Sequence, residues 1–383
     1  MSDLYRSALQ ARIAKLPQIP SDVADDDEAE ESADDVGALP SAMAPPRTTP
    51  RPRKAPNAAF TPISAAEYFK DAVQVAVPDS KLDMRVYYTP PRMPVGESES
   101  AGSVMICHHG AGFSGLSFAC FAKEVTQMTS GECGVLALDA RRHGKTMPTD
   151  GSPDDDLSLD VLVADVVNLL QAIYPDPAAA PTFFAVGHSM GGAVMVRACP
   201  LLQERGYGVG GVVVLDVVEG TALEVLPHMP MILSSRPEGF DSVEEAIEWH
   251  ITAHQIRNPT SARVSVPSLI VPSHSNPLKL RSYPLTWRTP LGTTGPYWES
   301  WFSGLSSAFL AARSARLLVL AGTDRLDKQL MIGQMQGKFQ MVVIPNTGHM
   351  LHEDDPTKLA ETIVEWWRRN ERVVVGVKKV GEL

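Results

Sequence analysis

The pentapeptide Gly187-His188-Ser189-Met190-Gly191 lies between an apolar run, Thr182-Phe183-Phe184-Ala185-Val186, and the small-residue stretch Gly192-Ala193-Val194-Met195. The run before it reads as a buried strand and the stretch after it as a helix. The five residues between must therefore turn sharply. A serine on such a turn takes strained backbone angles, and a glycine two residues to either side lets strand and helix close without a Cβ clash. The turn lifts the Ser189 hydroxyl off the sheet edge, as a nucleophile requires. It also directs the Met190 N–H, at the start of the helix, toward an oxyanion formed on an attacked carbonyl. An ordinary Gly-rich turn with a solvated serine has the same five letters; the strand–turn–helix context favours the nucleophile.

A second loop supports that reading. Ser103-Val104-Met105-Ile106-Cys107-His108-His109-Gly110-Ala111-Gly112 ends an apolar strand in His-Gly, a small residue and another glycine, so backbone N–H groups there can approach a substrate oxygen. Ala111 is the first choice for the second oxyanion donor, with Gly110 and Gly112 lining the same substrate-facing loop. His109 reads as an orienting residue of the loop, and Cys107 as core packing.

A serine nucleophile needs a base. Of the ten histidines, His349 follows a strand, Lys338 to Ile344, and a flexible turn, Pro345-Asn346-Thr347-Gly348, and it precedes a helix that Pro356 can open. That is the position of the imidazole in the chain order Ser…Asp/Glu…His. His352 reads as a loop or helix-entry residue, His188 points away from Ser189 by alternation, and His143 belongs to a structural loop, Asp139 to Gly144. His228, His250, His254 and His274 read as surface or core. The acid has two candidates. Asp324 follows the apolar strand Arg316 to Ala321, and Asp216 follows Val212-Val213-Val214-Leu215. Pattern slightly prefers Asp324. Either would accept from the imidazole Nδ1–H and fix its tautomer.

The strands Met84–Thr89, Val104–Cys107, Val135–Leu138, Thr182–Val186, Val212–Leu215, Leu317–Ala321 and Phe339–Ile344 alternate with helical segments such as Ser158–Tyr174 and Ala193–Glu204. This is the α/β pattern of a doubly wound sheet, with ligands at the carboxyl ends of the strands. The segment from about 223 to 313 exceeds an ordinary connection and reads as a helical cap. In it Ser242-Val243-Glu244-Glu245 is a capping box, Tyr297, Trp298, Trp301, Phe302, Leu305 and Phe309 repeat at helical spacing, and Pro267–Pro284 reads as a loop. Residues 1–57 hold an acidic run, Asp22 to Asp35, and a Pro- and Arg-rich run, Pro45 to Pro56; neither buries enough apolar surface to order itself. Leu4, Leu9 and Ile13 could form a short amphipathic helix ahead of them.

A net charge of −11 argues against general nucleic-acid binding. No run approaches the ~20 apolar residues of a membrane span, and the start lacks a secretory layout. Cys107, Cys120, Cys133 and Cys199 show no paired spacing, which suits reduced thiols in the cytosol or nucleus. No Cys/His ligand set calls for a metal, and no cofactor is expected.

Several longer stretches are more specific than the elbow: Asp216-Val217-Val218-Glu219-Gly220-Thr221-Ala222, Ala321-Gly322-Thr323-Asp324-Arg325-Leu326-Asp327-Lys328, and Ile332-Gly333-Gln334-Met335-Gln336-Gly337-Lys338-Phe339-Gln340-Met341. With Gln255-Ile256-Arg257-Asn258 and Ser261-Ala262-Arg263-Val264-Ser265, they resemble the protein phosphatase methylesterase family from about Phe60 to Trp367. The resemblance implies an α/β-hydrolase fold over residues 58–383 and moves the acid to Asp216, giving Ser189, Asp216 and His349. It implies a serine carboxylesterase that removes the methyl ester from the C-terminal leucine of the type 2A protein phosphatase catalytic subunit. Met190 and Ala111 would then hold the oxyanion, and the wall around Met335 and Gln336 would meet the substrate. In that family the triad is thought to become productive when the phosphatase binds. Phe113-Ser114-Gly115 departs from the family's His-Ser-Ala in the oxyanion loop, and the N-terminal tail is longer than expected. Two other readings stay in view: a general small-molecule carboxylesterase, and a phosphatase-binding inhibitory or stabilising protein acting independently of catalysis.

Overall fold

The computed structural model of the protein describes residues 53–92, 102–273, 283–322 and 326–371. The acidic run, the proposed Leu4–Ile13 helix and most of the Pro- and Arg-rich run lie outside these residues. Lys54, inside the segment expected to lack order, is described: its backbone N–H donates to Asp241 and its ammonium pairs with Glu248.

The chain begins with two antiparallel strands, β1 (Asp71–Val77) and β2 (Leu82–Thr89), followed by β3 (Ser103–His108), α1 (Ala119–Met128), β4 (Cys133–Leu138), the short β5 (Met147–Pro148) and α2 (Leu159–Ile173). Next come β6 (Thr182–His188), α3 (Met190–Glu204) and β7 (Val209–Leu215). The segment after β7 holds α4 (Glu219–Val225), α5 (Met229–Ser234), α6 (Val243–Thr252), α7 (Pro259–Ser265), a hairpin of β8 (Ile270–Pro272) and β9 (Leu285–Trp287), then α8 (Trp298–Phe302) and α9 (Leu305–Ala311). The chain returns to the sheet as β10 (Ala315–Leu320), α10 (Lys328–Met335), β11 (Gln340–Val343), α11 (Leu351–Asp354) and α12 (Pro356–Asn370).

The main sheet runs β1-β2-β4-β3-β6-β7-β10-β11, with β5 beside β2. From β4 to β11 every pairing is parallel, while β1 and β2 are antiparallel additions at one edge. Strands β3, β4 and β7 are buried along their whole length, which explains the apolar runs Val104–Cys107, Cys133–Leu138 and Val209–Leu215. One face of the sheet packs on α2 and α3, and the other on α1 and α12. Pro356 opens α12 as expected; Asp355 caps it by accepting the Lys358 N–H at 2.9 Å, and Trp366 and Trp367 are buried under the sheet.

A separate apolar cluster of Phe240, Ala246, Ile247, Ile256, Ala262, Val266, Leu269 and Ile270 forms among α6, α7 and the β8–β9 hairpin, and it takes in Met350 beside the predicted base. The Ser242 hydroxyl accepts from Glu245 N–H at 3.1 Å, while the Glu245 carboxylate accepts from Asp241 N–H, one residue earlier than a capping box places it. The stretch 267–284, expected as a loop, instead contributes β8, whose Ile270 and Pro272 pair with Trp287 and Leu285; residues 274–282 lie outside the described ones. Trp301, Phe302, Leu305 and Phe309 are buried in the main core.

Candidate active site

Ser189 stands at φ 51°, ψ −119°, immediately after the last residue of β6 and before the first of α3. That conformation is costly for a residue with a Cβ and persists only where the surroundings impose it. The imposition is visible. A Cβ on Gly191 would lie 2.3 Å from the His108 carbonyl oxygen, and one on Gly187 would lie 2.3 Å from that of Gly191. Only glycines let β3, β6 and α3 converge at this point. Met190, as the first residue of α3, carries an N–H with no intrahelical acceptor.

The oxyanion loop lies directly against the serine. A Cβ on Gly110 would come within 3.3 Å of Ser189 Cβ. Phe113 N–H closes a turn on the Gly110 carbonyl at 3.2 Å, with Gly112 at φ +80° in its third position, as a type II turn requires. Ala111, the second position, leaves its N–H outside the turn's hydrogen bond. Gly112 N–H is different: it donates to His143 Nε2 at 2.9 Å, so Gly112 contributes space and not a free donor.

Two buried histidines hold this loop. His143 donates from Nδ1 to the Arg141 carbonyl at 2.7 Å, which leaves Nε2 to accept from Gly112. His109 donates from Nδ1 to the Gly110 carbonyl at 2.8 Å and accepts from Ala140 N–H at 3.0 Å through Nε2. Both rings must be neutral to make these bonds. Burial drives their pKa values down, to about 4 for His143 and well below the ordinary range for His109. His109 is thus an orienting residue, as its place in the sequence indicated.

Asp216 follows β7 at φ 49°. Its backbone N–H donates to the Val319 carbonyl at 2.8 Å, and its Oδ1 accepts from Ala321 N–H at 2.8 Å, fixing the carboxylate across the end of β10. The other oxygen, Oδ2, accepts from His349 Nδ1–H at 2.9 Å. This leaves the Nε2 lone pair of His349 for proton abstraction. Asp324 lies outside the described residues. The carboxylate is largely buried, with 11% of its side chain exposed, whereas the imidazole is 53% exposed. Among the described residues, Ser189 Oγ makes no hydrogen bond to His349.

The loop carrying His349 is braced from the helical segment. Arg257 donates to the Asn346 carbonyl at 2.8 Å, and Asp354 accepts from both Arg257 N–H and Gly348 N–H, at 2.7 and 2.6 Å. Arg257 stands in the stretch Gln255-Ile256-Arg257-Asn258, and its reach to a loop 89 residues away has no local signal in the sequence.

Met335 and Gln336, at the end of α10, are exposed, Met335 at 84%. The N-cap of that helix, Asp327, lies against Gly220, four residues beyond Asp216, where a Cβ would approach it to 3.2 Å.

The pattern of the alpha/beta hydrolase family matches residues 105–362. Protein phosphatase methylesterase 1 of Cryptococcus neoformans var. neoformans is 44% identical over 409 residues, spanning 100% of this chain and 96% of its own. That of Aspergillus fumigatus is 39% identical over 393 residues, spanning 97% of this chain and 90% of its own. The chain belongs to the protein phosphatase methylesterase family. As a member of that family it is a hydrolase with esterase activity. Among solved structures, E-2-(acetamidomethylene)succinate hydrolase superposes with a TM-score of 0.58 at 16% identity, over 78% of this chain and 99% of that one, and a marine microorganism esterase with 0.51 at 20% identity, over 73% and 98%. These two share the fold. In this methylesterase-family chain no group of three or more His, Cys, Asp or Glu among the described residues could hold a metal ion.

Proposed function

We propose that the protein removes the methyl ester from the C-terminal leucine carboxylate of the type 2A protein phosphatase catalytic subunit, by acyl-enzyme chemistry at Ser189. The observation that carries the chemistry is the 2.9 Å Asp216–His349 hydrogen bond, set at a strand end next to a serine in a strained turn. His349 Nε2 takes the Ser189 proton as Oγ attacks the ester carbonyl. The developing oxyanion accepts from the Met190 and Ala111 N–H groups. Methanol leaves with the imidazole proton, and water, activated by the same imidazole, frees the carboxylate.

The named relatives, protein phosphatase methylesterases, support the substrate assignment over a general small-molecule esterase. The surface supports it too. Met331, Ile332 and Met335 on α10 are exposed, a concentration of apolar side chains suited to a protein partner. With no Ser189–His349 hydrogen bond among the described residues, docking of the phosphatase would supply the energy that aligns them, an induced-fit route to specificity.

The test is release of methyl groups from purified carboxymethylated catalytic subunit. Release by the wild-type protein and none by Ser189→Ala is expected. Tight binding with no release by either protein would discard the esterase assignment in favour of a purely phosphatase-binding role.

A further inference from the structure

His188 ends β6, one residue before the nucleophile, and it is fully buried. Its Nε2 lies 2.8 Å from the His349 carbonyl oxygen. A carbonyl only accepts, so Nε2 carries the proton. The His188 ring packs against the His349 ring with centroids 4.6 Å apart. It also contacts His352 at 4.5 Å, which in turn stacks on Phe118 at 4.5 Å. Four rings are thus linked in contact from the hydrophobic core to the half-exposed imidazole.

Gly110 closes over the same ring: a Cβ there would lie 2.7 Å from His188 Nδ1. That nitrogen is buried and has no hydrogen-bond partner among the described residues. His188 therefore touches the oxyanion loop, adjoins the nucleophile covalently, and grips the base. No other side chain described in the site meets all three.

We propose that His188 is a positioning residue for the general base: its Nε2–H holds the backbone of His349, and its ring, supported by His352 and Phe118, sets the plane of the catalytic imidazole. The proposal rests on the reading of Ser189 and His349 as nucleophile and base. Arg257 and Asp354 tie down Asn346 and Gly348; His349 itself is hydrogen-bonded, among the described residues, through its ring to Asp216 and through its carbonyl to His188. A hydrogen bond to the ring fixes the tautomer and leaves the ring free to swing about Asp216. Fixing the carbonyl as well determines where Nε2 stands relative to Ser189 Oγ, and misplacement on that scale is what acyl transfer tolerates least.

The neutrality of His188 also matters. When His349 becomes an imidazolium, a second positive ring at this separation would oppose it. The titratable groups described around His188 are His352, His349 and His109; burial foremost, and the charges these rings could carry, hold His188 uncharged against the opposing pull of its hydrogen bond to the His349 carbonyl.

The experiment uses the full chain with His188→Phe and His188→Gln. Phenylalanine keeps a packed ring and removes the donor; glutamine places an N–H near the Nε2 position. For methyl release, kcat of the Phe variant should fall by about 10²-fold with KM unchanged, and the Gln variant should recover most of the loss. Thermal unfolding accompanies each assay. A Phe variant with wild-type kcat, or a Gln variant as impaired as Phe, overturns the proposal. In wild-type protein labelled with 15N-histidine, the His188 ring should show the Nε2–H tautomer; an Nδ1–H tautomer overturns the proposal whether or not the variants fold. Retained activity in Ser189→Ala would instead remove the catalytic reading on which the proposal rests.

Discussion

Ser189 and Asp216 directly follow neighbouring parallel strands and share the same positive φ, 51° and 49°. They are joined in register. His188 pairs with Leu215, the residue before Asp216, and Ser189 N–H donates to the Leu215 carbonyl at 3.0 Å. Both residues leave the β conformation at the same level of the sheet. The two side chains thereby rise from the carboxyl edge to meet a histidine delivered by a third loop, 133 residues from Asp216.

The placement of Asp216 distinguishes the two candidate acids by experiment. Asp216→Asn keeps the shape and presents an amide that favours the wrong imidazole tautomer, so kcat for methyl release should fall by roughly 10⁴-fold. Asp324→Asn should stay close to wild type. A large loss in the second variant with little in the first would transfer the acid to the strand end after β10.

Backbone strain at the nucleophile predicts a trade between stability and activity. Ser189→Gly relieves a conformation costing on the order of 1 kcal/mol or more, whereas Ser189→Ala retains it. Both should be inactive. In urea unfolding the glycine variant should have the higher midpoint of the two, in spite of glycine's greater unfolded-state entropy. Equal midpoints would mean that the turn carries no strain.

The parallel strands were legible because burial on both faces gives them continuous apolar sequences; β4 and β7 show this throughout, and β3 from Val104 to Cys107. Strand β1 was not legible. Its Asp71–Ala76 stretch is mostly exposed at a sheet edge, so its sequence carries little burial signal. The β8–β9 hairpin was hidden by the Pro- and Ser-rich sequence between its strands. At the candidate site, the strand–turn context points to Ser189 as nucleophile and His349 as base. The Asp216 assignment needed the family resemblance, since two strands end in an aspartate and local pattern prefers the other. The contacts of His143 with Gly112 and of His188 with His349 join segments far apart in the chain, and no periodicity reports them.

The exposed end of α10 predicts a separation of partner binding from chemistry. Met335→Glu places a charge on a side chain that is 84% exposed and makes no demand on the core. Methyl release from the phosphatase subunit should fall mainly through KM, while hydrolysis of a small activated ester and thermal stability stay near wild type. A variant with unchanged KM would remove this helix end from the docking surface.

Stability should depend on pH through the buried histidines. Burial lowers His143 and His108 to about 4, and His250 and His352 to about 3, with His109 and His188 also depressed. The ordinary value is 6.5. Between about pH 4 and 6.5 the unfolded chain binds protons at these sites that the folded chain does not, so their contribution is full above 6.5 and is lost as the pH falls toward the folded values. Each such histidine contributes a slope of about 1.4 kcal/mol per pH unit where only its unfolded form is protonated. Three carboxyls among the described residues act oppositely: burial raises Asp139 to about 6, Glu353 well above its ordinary value and Asp354 above its own, so each favours folding at lower pH. Six histidines outweigh three acids. Unfolding free energy measured by urea should therefore increase from pH 4.5 to 6.5, and His143→Gln, which removes one of the six, should flatten that rise. A stability that is level or falling over this interval would mean that the histidines are protonated in the folded protein, and with that the neutral rings holding the oxyanion loop and His349 would have to be reassigned.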